Sequence, residues 1–429
     1  MRKALLVVAL VVFLAASAFA YESDRMDFGK IDFGGATVSF VMHWDAIGQF
    51  EEGGGRAGVL QEAMELFNIG GYEKVTVGWG DVGDTALSRF MAGESKYDLW
   101  RVPFAYYWSL ASRGALFPVN EILPDEYFEQ LPKITHDRNL ELAYNGQLFF
   151  FSAGVDDYGH ATFIVFNKDL MEAEGLEDPY ELLARGEWTF EKVTEMARKA
   201  TRDTDGDGII DQWGLSDTDP KNLVYAYGGA VTRRDENGSV YWSLDEPEAV
   251  AGLRQWVEWR KIDQIAGGAE NEFGAGQIAM AFLPFYAIGS HVDWPFTHGI
   301  MPYPQSPYTD EPLFLPGAAD AWFVPANAEY PLGLIALDNY LFTLDNYYED
   351  LDNYIASRIT DRQSYEILYT AVDSFWPEDY YMNFLGDRWN GSLPYGKVCG
   401  DINNDISPAT SAAEAKPAAQ AIIDDMFDQ

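Results

Sequence analysis

Cysteine is nearly absent. Cys399 is the only one in 429 residues, so an internal disulfide is excluded and the cores must hold the chain together unaided. The five histidines (His43, His136, His160, His291 and His298) show no HExxH spacing, and there is no CxxC pair. GxSxG, Walker and SxxK motifs are also missing, which removes the usual nucleophile and phosphate-binding signatures. Positive charge is scarce: 29 Lys and Arg stand against 68 Asp and Glu, a formal charge of −39. Such a field repels phosphate backbones and anionic headgroups, so nucleic acid and membrane surfaces are poor partners, although a local site can overrule it. With so many carboxylates, any catalytic pair would be a free choice, because sequence spacing does not reveal separation in space.

Long apolar runs occur in one place only. Arg2 and Lys3 precede an unbroken apolar stretch, 4–16, and then Ser17, Ala18, Phe19 and Ala20. Small residues at 18 and 20 fit a cleaved signal peptide, 1–20. Beyond it Asp, Glu, Gly or Pro interrupts every candidate span, and no cysteine near the cut offers a lipid attachment point. A periplasmic, exported chain without a lipid anchor is expected.

What is present suits a globular protein of two domains: 429 residues with 48% hydrophobic content. Aromatics reach 15%, with 13 Trp and 25 Tyr, a composition that suits a ligand with flat apolar faces. Strand-like segments at 37–42 (TVSFVM), 74–77 and 97–102 alternate with helical periodicity at 59–67, 85–91 and 108–116. That alternation predicts a mainly parallel sheet covered on both faces. The pattern restarts with a strand at 161–167 and a helix at 170–174. Thr189 is placed to cap a helix over 190–200. Asp245 and Glu248 mark a helix start before 249–260, and Ser407-Pro408 opens the last helix. Gly/Pro-rich sequence at 301–318 separates the second lobe from the C-terminal part of the chain.

Two local motifs stand out. Gly78-Trp79-Gly80-Asp81-Val82-Gly83 matches a dinucleotide fingerprint, but Asp81 and Asp84 would place negative charge where a pyrophosphate must sit. It reads instead as a strand-to-helix turn whose Trp79 packs or faces a cleft. In 203–211 (DTDGDGIID), Asp203, Asp205, Asp207 and Asp211, with the carbonyl of Ile209, reproduce most of a calcium loop. Position 12 is Gly214 rather than glutamate. A structural calcium and a metal-free Asx-turn loop are both open, and no cofactor is required. Asn237-Gly238-Ser239 and Asn390-Gly391-Ser392 read as turns.

Several segments together resemble the extracellular solute-binding proteins (family 1) of ABC sugar importers, the group that includes maltose-binding protein. They are YNGQLFFFSAG (144–154), FIVFNKDLMEAEGL (163–176), EWTFEKVTEMARKAT (187–201), DTDGDGIIDQWGLS (203–216), YGGAV (227–231), SLDEPEAVAGLRQWVEW (243–259), FGAGQIAMAFLPFY (273–286) and SPATSAAEAKPAAQAIID (407–424). The resemblance implies a periplasmic binding protein type II-like fold: two α/β lobes, each with a mainly parallel sheet flanked by helices. Hinge crossings fall near 149–154 and 300–303. The first lobe takes 21–150 plus 304–344 and the second 151–303 plus 345–429.

It also implies a receptor that closes on a sugar or oligosaccharide and delivers it to an ABC permease, as a monomer and with no catalysis. Ligand contacts are expected from His43, Trp44 and Asp45 after the first strand, Trp79, Tyr106 and Tyr107, and Asp156, Asp157 and Tyr158 after the first crossing. Tyr227, Tyr286, Asp320, Trp322, Trp376 and Trp389 complete the set. Val102 and Ala105 stand where maltose-type members carry charged sugar contacts. A secreted carbohydrate-active hydrolase or lyase, and a receptor for a peptide, polyamine or osmolyte, are the alternatives.

Overall fold

In the computed structural model the described residues are 20–23, 25–152, 159–289, 294–315, 320–342, 347–359, 361–371, 385–386 and 388–427. A hairpin of β1 (Ala20–Glu22) and β2 (Asp27–Lys30) opens the chain. A four-stranded sheet is then begun by β3 (Thr37–Met42), β4 (Gly71–Thr76) and β5 (Asp98–Pro103). A second sheet contains β6 (Thr162–Asn167) and β7 (Trp213–Leu215). Then come a small hairpin, β8 (Thr232–Arg234) and β9 (Val240–Trp242), and the strands β10 (Ile278–Pro284) and β11 (His298–Met301). Last, β12 (Asp320–Phe323) completes the first sheet.

The first sheet runs β12-β5-β3-β4. β3 pairs in parallel with β4 and β5, and β12 lies antiparallel to β5. Five of six β3 residues and all six of β5 are buried, as central strands covered on both faces must be. The helices Val59–Leu66 and Val82–Ala92 connect these strands, close to the positions their periodicity predicts.

The second sheet, β11-β6-β10-β7, departs from the mainly parallel expectation. β6 runs antiparallel to both β10 and β11, and only β7 and β10 are parallel. The apolar runs FIVF and IAMAFL specify burial on both faces, not strand direction.

Helix starts follow their caps. Thr189 Oγ1 accepts from Lys192 N at 3.3 Å at the head of Phe190–Ala200. The helix Pro247–Val257 has Glu246 at its N-cap, while Asp245 is bonded by Lys416 Nζ at 2.9 Å. Proline in the first turn sets this start.

The return of the chain differs from the implied crossing at 300–303. Ile300 and Met301 sit inside β11; Tyr303 pairs with Leu313, Gln305 with Thr189 and Leu315 with Thr162. The backbone pairing of 303–315 is therefore with the second sheet and its neighbours, and the chain is back on the first sheet at Asp320. Of the other crossing, Phe149, Phe150 and Phe151 are buried, while Ala153 and Gly154 lie outside the described residues.

Around the first sheet, Phe40, Leu99, Trp322 and Leu334 share one core. Phe163, Ile278, Leu283 and Ile300 share another beside the second sheet. A larger cluster joins the two regions, from Trp100 and Trp108 through Phe149 and Phe150 to Trp259 and Tyr303. The C-terminal helices Pro394–Asn403 and Pro408–Phe427 pack on each other, and the latter also on β9. No helix of the described residues is long and apolar enough to cross a membrane; residues 1–19, within the expected signal peptide, lie outside them.

Candidate functional site

The carboxyl ends of β3, β4 and β5 and the start of β12 open onto a cavity of about 1080 Å³. This is where ligands of open parallel sheets bind, beyond the strand ends. Facing it are residues from the end of β10, the start of β6 and the C-terminal third of the chain.

On the first wall, Arg101 of β5 is buried, and its guanidinium lies 4.2 Å from the Trp44 ring centre and 5.9 Å from that of Trp322. Asp320 Oδ2 collects three partners: Arg101 Nε at 3.4 Å, His43 Nε2 at 3.6 Å, and the Trp44 indole, which donates at 3.1 Å. An arginine this deep needs such a counter-charge, because desolvating it alone would cost several kcal/mol. The register of β12 on β5 sets the group: Trp322 lies opposite Arg101 and Asp320 opposite Pro103. His43 is held below the ordinary histidine value, first by burial and then by the Arg101 and His160 charges, against the pull of Asp320. Its Nδ1 is buried without a hydrogen-bond partner among the described residues.

Beside this group, Trp79 and Tyr106 form an aromatic pair with ring centres 5.8 Å apart. The Tyr106 hydroxyl donates to the Trp79 carbonyl at 3.0 Å. Gly83 explains the glycine pattern of 78–83, since a Cβ there would come within 2.2 Å of the Tyr106 ring. The last glycine of that motif seats an aromatic side chain on the helix Val82–Ala92.

On the second wall, Tyr286 follows β10, half-exposed, with its ring 5.1 Å from His160. Tyr354 comes close to Gly159, where a Cβ would lie 2.9 Å from the tyrosine oxygen. Arg358 stacks on Tyr354 at 3.7 Å, and its Nη1 donates to the Tyr354 carbonyl at 3.2 Å and to Ser357 Oγ at 3.0 Å. Lys221 enters from the first turn of the helix Pro220–Ala226, its backbone held by Asp219 and by the Tyr395 hydroxyl. Asn390 and Leu393 complete this side.

An open cavity with aromatic rings on both walls suits the binding of a ligand. The sequence matches the family described as bacterial extracellular solute-binding protein over residues 60–347. The chain belongs to that family. Solved structures of the same fold include an ABC substrate-binding protein from Listeria monocytogenes in complex with cycloalternan, at 16% identity over 90% of this chain and 99% of that one, TM-score 0.64. The maltose/maltodextrin-binding domain MalE from Bdellovibrio bacteriovorus bound to maltotriose matches at 19% identity, over 90% and 99%, TM-score 0.62. The GacH receptor of Streptomyces glaucescens, solved unliganded and with acarbose, matches at 16%, over 92% and 99%, TM-score 0.64. At these identities the likeness is one of fold. Comparison with curated proteins gives no match. The family and these relatives are binding proteins and not enzymes.

In this solute-binding protein the structure brings His43, Trp44, Trp79, Tyr106, Tyr286 and Asp320 together around the cavity. Five other expected contacts are not among the lining residues. Tyr107 is buried, with its hydroxyl donating to the Leu142 carbonyl. Tyr227 packs on Phe190 and donates to Gln255 Oε1 at 2.6 Å. Trp322 points into the first core against Phe40 and Phe342, backing Arg101 rather than reaching the cavity. Asp45 Oδ2 is ion-paired with Lys74 at 2.7 Å and its Oδ1 accepts from the Ile47 and Gly48 amides. For Tyr107 and Asp45 the preceding residue, Tyr106 or Trp44, takes the cavity-facing position. Trp389 is mostly exposed, with Arg388 over its ring at 4.3 Å, while its neighbour Asn390 lines the cavity. Asp156, Asp157, Tyr158 and Trp376 lie outside the described residues.

Sequence reasoning passed over Arg101, His160, Lys221, Tyr354 and Arg358. Only Arg101 carried a signal, a cation in the middle of the buried strand DLWRVP, whose one other charged residue is Asp98.

The acidic loop lies away from this cavity. Carboxylate oxygens of Asp203, Asp205 and Asp211 lie within 4.8 Å of one another, and Asp207 is not part of that group. Asp203 accepts from the amides of Gly206 at 2.6 Å and Gly208 at 2.7 Å, which holds its carboxyl below the usual carboxylate range. Asp205 and Asp207 accept from the amides of Asp207 and Ile209, so Asx-type bonds shape the loop.

Proposed function

We propose that this protein is a periplasmic sugar or oligosaccharide receptor of an ABC importer, which closes on its ligand and delivers it intact to a membrane permease. The observation that carries the reading is the pairing of rings across one cavity: exposed Trp44 and Trp79 with the partly buried Tyr106 on one wall, and exposed Tyr286 on the other. Sugar rings present C–H faces that suit aromatic planes, while edge hydroxyls suit Asp320, Gln49 and Asn390. Solved relatives whose names include maltotriose and cycloalternan support the same ligand class.

In this proposal the first lobe is built on β3, β4, β5 and β12, and the second on β6, β7, β10 and β11 with 303–315 and the C-terminal helices. The two walls belong to different lobes, so a ligand touching both favours the closed arrangement by the extra contact free energy that closure releases. The receptor acts as a monomer.

The test is titration of the purified protein with a panel of mono- and oligosaccharides, followed by tryptophan fluorescence and small-angle scattering. Stoichiometric binding of one sugar class, with a smaller radius of gyration and no product, is the expected result. Steady glycan turnover, or binding of peptides or polyamines in place of any sugar, overturns the proposal.

A further inference from the structure

Among the described residues, the charge that lines the cavity opposes the charge of the chain. The protein carries 68 acidic and 29 basic residues. Among the described residues, however, the cavity is lined by Arg101, Lys221 and Arg358 against one carboxylate, Asp320. That carboxylate is already shared by Arg101, His43 and Trp44. Among the described residues no ion pair joins either Lys221 or Arg358 to a carboxylate: Lys221 is held through its backbone amide by Asp219 and the Tyr395 hydroxyl, and Arg358 Nη1 donates to the Tyr354 carbonyl and Ser357 Oγ. Arg358 is held in place by its stack on Tyr354, and its buried Nε has no hydrogen-bond partner among the described residues.

Arginine and lysine donate hydrogen bonds and accept none. A neutral sugar hydroxyl both donates and accepts, and is best met by carboxylates and amides as well as by cations. The described lining, with two cations beyond its one ion pair, instead suits a ligand with surplus acceptor oxygens. Guanidinium in particular matches the geometry of carboxylate and sulfate.

We infer that the ligand is an acidic sugar, with a carboxylate or sulfate group placed between Lys221 and Arg358 while its ring faces lie against the aromatic walls. This inference rests on the sugar-receptor reading above and narrows it. The strongly negative exterior then acts as a filter: an anionic sugar is captured only where local cations outweigh the global field.

Calorimetric titration of the whole protein tests it with neutral trisaccharides, uronic-acid trisaccharides and sulfated oligosaccharides of similar size. An acidic sugar is expected to bind at least about tenfold tighter than its neutral counterpart, with the advantage shrinking as salt is raised. Whether the uronate or the sulfated arm binds identifies the acidic group. Arg358→Gln and Lys221→Gln should each collapse the acidic-to-neutral affinity ratio toward one, while Arg358→Lys retains part of it. Equal or tighter binding of a neutral sugar overturns this inference and leaves the receptor reading standing. Binding of no sugar at all overturns both.

Discussion

On the wall formed by β3, β5 and β12, the polar groups are tied to one another before any ligand arrives. Arg101 lies between Trp44 and Trp322 and pairs with Asp320, which also engages His43 and the Trp44 indole. The facing wall is built from residues following β10, a short helix start and the turn after the helix Tyr347–Ala356, and its cations Lys221 and Arg358 lack carboxylate partners among the described residues. One wall is a packed surface on a mixed sheet whose charged groups are paired with one another. The other offers charge for a ligand to complete. The difference follows from the scaffold: strand register fixes side chains in buried rows, whereas helix starts and turns leave long side chains at the rim.

The sharpest way to break this comparison is Arg101→Ala. It strands Asp320 in a nearly dry site and should lower folding stability by about 3 kcal/mol, read by urea unfolding. Arg358→Ala, on the partly buried rim, should cost far less. Equal losses at the two positions would mean that the first wall is no more tightly built than the second.

Next in size is Gly83→Ala. Its Cβ would meet the Tyr106 ring at 2.2 Å, so the ring must shift, and destabilisation of about 1–3 kcal/mol is expected. Fluorescence of the adjoining Trp79 should change with it. An unaltered midpoint and spectrum would show that the aromatic pair is not seated as described.

Removing one ring from each wall gives a smaller and more selective effect. Trp79→Ala and Tyr286→Ala should each weaken ligand binding roughly tenfold, about 1.4 kcal/mol, and barely move the unfolding midpoint, because both rings are about half exposed. Loss at one wall only would assign the ligand to that wall alone.

Acidification gives the smallest effect. His43 beside the first wall and His298 in the second region are both held below the ordinary histidine value, chiefly by burial. The unfolded chain therefore binds more protons, and stability should fall as pH drops below roughly 6.5 toward the lowered native values. Thermal melts between pH 7 and 5 measure this slope. His43→Gln and His298→Gln should each flatten it, since burial is the leading cause of the lowered value at both.

Much of the fold was legible. The run TVSFVM is β3, Thr189 caps its helix and the pattern restarts at residue 162. The pairing direction in the second sheet and the point of return to the first were not, because a continuous apolar run records burial and not direction. Within the site, Trp44, Trp79 and Tyr106 could be named as aromatics just past strand ends, and Tyr286 only through the family resemblance. Tyr107, Tyr227 and Trp322 could not be separated from them, since one residue along a strand or helix exchanges cavity for core. Lys221, Tyr354 and Arg358 carried no local signal at all.

Composition and periodicity by themselves determined two α/β regions, a chain without disulfides, an acidic exterior and a supply of aromatics at strand ends. Only the tertiary structure decided that residues 44, 101 and 320 share one ion-paired cluster and that residues 221 and 358 bring positive charge to an acidic protein's cleft. Those positions are far apart in the chain, and their distances are set by sheet register and by how the two regions face each other, neither of which a local sequence pattern encodes.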